Sequence, residues 1–469
     1  MSRKDHYEKN YINMYIILIV RSLSSLNMFS YKNNFFISLY FTALIYFVYK
    51  TSSTLPPFRD EIVSLVANTG FFLNGFSFEG PRQTIFEGLY NPFLTSPPLS
   101  AVGSSIAWSF FNDFNLIRLA NFLWVLVAQI LFSKYVSNIY ELDQKKVIIF
   151  SGFALVSFPF WFGSIYSLGE TISIIFFFNS ILLYKSYPKV SIFFMGMLVF
   201  FGKGILIVLF AFFYFFNLIL TKDLKKVPLE LLIFLFPSTI WILLINFKSE
   251  YQSISDYIEH FIIMYESMGS QIGSLGLIDI LSAQNILNNF QNSGVLNWNP
   301  SVLLRVFAPP IILFFVLLIK RGKDMMLDVK QLTYFVLSLA PLYGWFVLVS
   351  PEKPIIYASH FTFPMLMFSL YILSRKDLKN DLINNSAFFI CCLYMTSDIL
   401  FLISLLTLLL INIFKRIGYS TLVILICFSI INSTYEVSKE KTYDVDLSEC
   451  KKDIGSYSCF DYLMNIQNN

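Results

Sequence analysis

Uncharged apolar stretches alternate with short charged clusters along most of this 469-residue chain. The first stretch, Asn34–Lys50, carries no charge between Phe35 and Tyr49. Runs of this kind predict about thirteen helical spans of an all-α bundle. Their limits are 34–50, 114–136, 146–167, 171–186, 189–202, 204–220, 228–246, 301–320, 331–350, 358–374, 384–396, 399–414 and 418–434. Several are shorter than the ~20 residues that a perpendicular span needs. Those from 171 to 220 are expected to be tilted, broken or buried among neighbours.

Charge settles the orientation. Basic residues gather in alternate connections: Lys134 to Lys146, Lys185 to Lys189, Lys222 to Lys226, Lys320 to Lys330, Arg375 to Lys379, and Lys415 with Arg416. The other connections hold Asp60, Glu61, Glu79, Glu87, Glu170, Asp256, Glu259, Glu266, Asp279 and Glu352. By the positive-inside rule the basic loops face the cytoplasm. Residues 1–33 form a cytoplasmic segment, read as an interfacial helix, and 34–434 form the membrane domain. Residues 51–113 and 247–300 are two long outer loops, and 435–469 are a short outer tail. The first loop reads as short helices on the membrane surface, one of them beginning at Pro97-Pro98. The second reads as a polar flap.

Composition supports the membrane reading. The chain is 56% hydrophobic and only 14% charged, with 53 Phe, whereas soluble domains carry about 25% charged residues. The net charge of +4 belongs to topology, and no basic stripe with interleaved aromatics points to nucleic acid. Cys391, Cys392 and Cys427 read as small core residues. Cys450 and Cys459 in the tail are placed for a disulfide if it faces an oxidising compartment. No Cys/His spacing marks a structural metal.

The candidate chemistry lies on the outer face. Asp60 and Glu61 stand together just beyond the first span, where a carboxylate can act as general base and a like-charged neighbour raises its basicity. The plainer reading is that they solubilise a surface helix. Glu170 in SIYSLGETIS is either an acid favouring the start of the next helix or a partner across a cavity. Lys203, between two glycines in VFFGKGILIVLF, has to snorkel, pair or face a wet cavity, and at an outer turn it would be a phosphate ligand. Lys353, Tyr357 and His360 in SPEKPIIYASHFTFP are a phosphate- or sugar-binding set or an interfacial belt. Arg59, Arg82 and Arg118 are further cations able to neutralise a phosphate, with snorkelling the plain alternative for Arg118.

The order of these residues resembles the GT-C glycosyltransferases, and within them the branch of protein O-mannosyltransferases and lipid A aminoarabinose transferases. The segments that carry the resemblance are PFRDEIVSLVANTGFFLNG, LTSPPLSAVGSSIAWSFF and FNLIRLANFLWVLVAQILFSKY. That branch has an Asp-Glu pair in its first outer loop, then Pro-Pro-Leu, an Arg-Leu opening the next span, an acid after the third span and a Lys-Gly near the fifth. The counterparts are Asp60-Glu61, Pro97-Pro98-Leu99, Arg118-Leu119, Glu170 and Lys203-Gly204, with Tyr357 to Pro364 later. Ser96 stands where the mannosyltransferases often have His, and Glu170 where Asp is usual.

The resemblance implies a multi-pass protein, expected in a bacterial inner membrane, that moves a sugar from a polyprenyl-phosphate donor with inversion. The acceptor would be a hydroxyl of a lipid, glycan or protein at the periplasmic face. Asp60 would be the base, with Glu61 orienting it or the acceptor. Lys203, with Arg82 or Lys353, would offset charge on the departing phosphate. Some relatives use a divalent metal, but no Asp-x-Asp cluster is present here to hold one. Two rivals are a polysaccharide polymerase or ligase, and a flippase or transporter of polyprenyl-linked glycans. The first usually centres on a late outer loop with Arg and His. The second usually shows inverted repeats or mid-bilayer polar residues.

Overall fold

The computed structural model describes residues 31–56, 61, 65, 102–157, 164–166, 170–202, 206–248, 255, 284, 287, 300–319, 338–344, 355–374, 381–394, 419–439 and 442. The predicted span 399–414, the N-terminal segment 1–30, nearly all of the second outer loop and the tail cysteines lie outside them. Among the described residues the regular structure is helical. In chain order the helices are α1 (Tyr31–Thr54), α2 (Val102–Trp108), α3 (Phe114–Ile139), α4 (Gln144–Val156), α5 (Glu170–Leu183), α6 (Pro188–Phe201) and α7 (Leu206–Thr221). After a 3-10 turn at Leu224–Lys226 come α8 (Val227–Lys248), α9 (Pro300–Ile319), α10 (Ala340–Gly344), α11 (Ile355–Ser374), α12 (Asp381–Leu393) and α13 (Tyr419–Val437).

Most boundaries follow from local chemistry. Asp113 caps α3 by accepting from Asn115 N at 2.8 Å, and Asp143 caps α4 by accepting from Lys145 N at 3.0 Å, as N-cap carboxylates do. Pro188 opens α6, where its missing N–H costs nothing. One predicted span differs. The run 146–167 reads as a single helix, yet α4 stops at Val156 and Ser157 is extended at φ −70°, ψ 145°. Pro159 stands two residues on, and proline breaks the helical ladder and disfavours helix in the residue before it. The short predicted spans are short in fact: α5 and α6 have 14 residues each, about 21 Å of helix against a ~30 Å hydrocarbon core.

Among the described residues two stretches, Phe114–Ile139 and Leu224–Leu243, are long and apolar enough to cross a membrane. They are placed differently. The first is 72% buried and the second only 22%, so α3 is the axis of the bundle and α8 presents its apolar surface outward. Around α3 pack α1, α2, α4 and α5, while α11 packs on α4, α5, α9 and α12. α1 also meets α13, and α6 joins α8 to α5. Cys391 and Cys392 are buried, and Cys427 is half-buried, as core residues.

A polar chain crosses this apolar interior. Asn179 Nδ2 on α5 donates to Gln129 Oε1 on α3 at 2.7 Å, and Tyr371 OH on α11 donates to Asn179 Oδ1 at 3.1 Å. Ser133 on α3 lies 3.3 Å from Tyr371 OH, and Ser151 on α4 lies 2.9 Å from Ser133 Oγ. With few competing partners in an apolar bundle, such a network fixes register. Taken with contacts at the C-terminal end of these helices, it shows that α3, α5 and α11 run parallel, so their N-termini share one end. At the other end Tyr140 OH donates to Leu182 O at 3.1 Å, and Asp143 N donates to Ser374 O at 2.8 Å.

Helices α6 and α8 approach closely at Gly196, where an added Cβ would collide with the backbone oxygen of Phe234. The aromatic face beside it is dense, with Phe210 and Phe234 stacked at 3.7 Å between centroids. Gly196→Val should therefore force the helices apart. Overpacking costs about 1–3 kcal/mol, so the variant should melt several degrees lower in detergent, whereas Val190→Ala on the exposed face of α6 should change little. An unchanged melting temperature for Gly196→Val would contradict the packing described.

Candidate active site

The end of the bundle where α3, α5 and α11 begin is organised by one arginine. Arg118, in the first turns of α3, is 1% exposed and faces Glu61, which is 0% exposed. Its Nε donates to Glu61 Oε1 at 2.9 Å and its Nη2 to Oε2 at 2.6 Å, a bidentate pair. Nη1 donates to Ser52 O at 2.8 Å and Leu55 O at 2.7 Å, and Nη2 also to Pro56 O at 3.0 Å. All five guanidinium N–H groups are thus engaged.

The three carbonyls have a common origin. Ser52 is in the last turn of α1, whose final carbonyls have no intrahelical partners and carry the negative end of its dipole, and Leu55 and Pro56 follow directly after the helix ends at Thr54. α1 has no basic residue in its own last turn, so α3 supplies the cation. The charge is sealed from the sides by aromatic faces, with the guanidinium carbon 4.5 Å from the Phe114 ring centroid and 4.8 Å from that of Tyr166. Tyr166 OH donates in turn to Pro56 O at 3.3 Å. The snorkelling expected as an alternative for Arg118 does not occur, nor is the side chain disposed to meet a phosphate. It is a clasp that ties α1, the first outer loop and α3 together.

Several predicted site positions converge on this end. Counting from the polar chain at Gln129, Asn179 and Tyr371, a rise of 1.5 Å per residue places Arg118, Glu170 and His360 about 16, 14 and 16 Å toward it. Glu170 opens α5 four residues after Tyr166, and Tyr357 and His360 lie in the first turns of α11. Gly202 ends α6 immediately before Lys203. A Cβ there would stand 2.5 Å from Leu198 O and 2.6 Å from Ser173 Oγ, so the turn is pressed against the first turn of α5. Ser173 Oγ is buried without a hydrogen-bond partner among the described residues. Asp60, Arg82, Lys203 and Lys353 lie outside the described residues, and of Glu170, Tyr357 and His360 only the backbone position is described.

The short helix expected after Pro97-Pro98 is α2. It buries Trp108 against α3, and Gly103 permits the contact, since a Cβ there would meet Trp124 Cβ at 2.7 Å. The floor of the first loop is therefore built into the bundle.

Two buried charges escaped the sequence reading. Arg305 on α9 donates through Nε to Leu393 O at 2.6 Å, while Tyr394 OH donates to Arg305 O at 2.9 Å, joining α9 to the end of α12. Glu230 on α8 is 5% exposed and lies at the opposite end of the bundle. Each is a lone charge within an apolar run, the signal by which it was findable. No group of His, Cys, Asp and Glu suited to a metal occurs among the described residues.

No protein-family model matches the chain, and no curated protein matches it. Among solved structures, the crystal structure of ArnT from Cupriavidus metallidurans bound to undecaprenyl phosphate is similar to it. That similarity has a TM-score of 0.48 and 12% sequence identity, over 86% of this chain and 76% of that one.

Proposed function

We propose that the protein is a membrane-embedded inverting glycosyltransferase of the GT-C type that uses a polyprenyl-phosphate-linked sugar. The observation that best supports this reading is the Glu61–Arg118 clasp. It anchors the chain directly after Asp60, at the same end of the bundle as Glu170, Gly202 and the start of α11. Both Glu61 oxygens accept from Arg118, so Glu61 positions its neighbour and Asp60 is the carboxylate assigned to chemistry.

In this mechanism Asp60 takes the proton of an acceptor hydroxyl as that oxygen attacks the anomeric carbon. The carbon–oxygen bond to the lipid phosphate breaks with inversion, and polyprenyl phosphate leaves with the electron pair. Negative charge grows on the departing phosphate, and cations already in place stabilise it without reorganisation. Lys203 is assigned that task, with Arg82 and Lys353 as further candidates. Glu170, Tyr357 and His360 are assigned to substrate contact. The donor enters from the lipid side, and the acceptor, a hydroxyl of a lipid, glycan or protein, enters from the periplasmic side of a bacterial inner membrane.

Lys203→Ala should weaken use of the lipid-phosphate donor while expression and melting temperature hold. An electrostatic contact to a transition-state oxyanion is worth about 10²–10³-fold, and the loss should appear in kcat/KM for the donor. Failure of the variant to accumulate would make the lysine structural. The layout has its own test. In a cysteine-free background, Phe110→Cys and Lys145→Cys place exposed thiols at opposite ends of the bundle. They should label from opposite sides of intact membranes, and labelling from one side would end the proposed orientation.

A further inference from the structure

We propose that the end of the bundle opposite the Arg118 clasp carries a second binding site, for a phospholipid headgroup bearing a primary ammonium. The distance between the two sites is large. Tyr140, beside Leu182, lies roughly 33 Å along α3 from Arg118, and Tyr184 follows two residues later. The site is independent of the glycosyltransferase reading.

Its base is Glu230, one turn into α8. Tyr214 OH on α7 donates to Glu230 Oε2 at 2.6 Å. Tyr184 OH, just beyond α5, lies 3.2 and 3.3 Å from the two oxygens and accepts from Asn217 Nδ2 at 3.0 Å. The hydrogen bonds thus run from Asn217 to Tyr184 to Glu230, with Tyr214 closing the other side. Every one of these donors is neutral. Among the described residues the ion pairs are Glu61–Arg118 and Asp223–Lys226, so no basic side chain lies within 4.0 Å of this buried carboxylate. Buried charges are ordinarily paired with an opposite charge. Here the carboxylate instead borders a cleft of ≈ 180 Å³, whose wall includes Tyr184, Asn217, Thr221 and Glu230. A cavity of ~150 Å³ takes a benzene-sized guest, so a small headgroup fits.

The rim has the other sign. Lys185 and Lys226 stand at the mouth, both exposed. Lys226 pairs with Asp223 at 2.8 Å, which holds the Asp223 carboxyl below its ordinary value through their hydrogen bond. Lys185, whose Nζ lies 5.9 Å from the Tyr140 ring centroid, is the second cation at the lip, and its ammonium is the one assigned to an incoming phosphate. A carboxylate inside and an ammonium at the lip select a zwitterion whose ammonium enters first and whose phosphate stays outside. The surroundings select a lipid over a free solute. Ile219, Leu224, Leu229 and Leu232, each within two residues of a lining residue in the sequence, are exposed apolar side chains, and α8 turns its apolar surface outward. Acyl chains extending from a seated phosphate would lie along them.

The test is native mass spectrometry of the purified full-length protein in detergent. It would be titrated with phosphatidylethanolamine, phosphatidylcholine, phosphatidylglycerol, soluble O-phosphoethanolamine or inorganic phosphate. The ethanolamine lipid should be retained most strongly, because a trimethylammonium cannot donate hydrogen bonds and glycerol brings no cation. Glu230→Gln should weaken ethanolamine-lipid retention about tenfold, the scale of one charge-assisted hydrogen bond, leaving glycerol-lipid retention as it was. Lys185→Gln should weaken all three lipids together. Equal retention of the three lipids by the unaltered protein would overturn the proposal. So would unchanged retention in Glu230→Gln, or binding of phosphoethanolamine or phosphate as tight as that of the lipid. If Glu230→Gln does not accumulate, the lipid ranking on the unaltered protein and the effect of Lys185→Gln decide the matter.

Discussion

Asp60→Asn should abolish detectable sugar transfer while the protein still inserts, accumulates and melts as the unaltered chain does. The substitution keeps volume and shape and removes only the ability to take a proton. A positioned general base contributes about 10²–10⁴-fold in rate, enough to erase turnover in a cell-level assay and leave a residual rate in purified protein. The loss should fall in kcat, with donor KM little changed, because the base acts on the acceptor as bonds rearrange. Glu61→Gln should cost less. An amide oxygen still accepts from Arg118, so the loop stays anchored, although the pair loses its charge. Near-normal transfer by Asp60→Asn would remove Asp60 from the mechanism. A larger catalytic loss from Glu61→Gln, at equal stability, would exchange the two roles.

The largest effect on stability should come from Arg118. Replacing it by Met leaves the Glu61 carboxylate buried without its cation and removes the Arg118 donors from the Ser52 and Leu55 carbonyls, while Pro56 O keeps only the bond from Tyr166. Removing one partner of a buried pair costs about 3–5 kcal/mol, and the orphaned acceptors add to it. The melting temperature in detergent should fall steeply, and transfer should be lost with it because the loop after Asp60 is released. The double variant Arg118→Met with Glu61→Gln should recover part of the loss, since no unpaired charge remains. A neutral Arg118→Met, or a double variant worse than the sum of its parts, would contradict the clasp.

The sequence made most helix positions legible and the clasp illegible, for separate reasons. Helix positions are carried by runs of apolar residues, a local property, and so α3, α6, α8, α9 and α13 begin and end within a few residues of expectation. The early end of α4 was also local, written in Pro159, but the uniform hydrophobicity of the run concealed it. Arg118 and Glu61 are 57 positions apart. Sequence order put both near the outer face and left their pairing unstated, because a bidentate contact needs the relative rotation of α1 and α3. That rotation is set by packing throughout the bundle, not by any segment. The partners of Glu230 escaped for the same reason, as Tyr184, just beyond α5, and Tyr214, on α7, reach it from other parts of the chain. The level shared by Arg118, Glu170 and His360 became visible only through the Gln129–Asn179–Tyr371 chain, a contact among residues that carry no motif.

Sugar transfer by the purified protein from a defined donor decides the proposed activity most directly. A panel of radiolabelled sugars on polyprenyl phosphate, with matched nucleotide sugars as controls, would be incubated with the protein in nanodiscs made from native membrane extract. Label should move from one or more of the polyprenyl-phosphate donors to an acceptor in the extract, with inverted anomeric configuration and stoichiometric release of polyprenyl phosphate. None should move from nucleotide sugars, and none with Asp60→Asn. Transfer from nucleotide sugars, or transport of the intact lipid-linked sugar without cleavage across the whole panel, would overturn glycosyl transfer from a polyprenyl-phosphate donor.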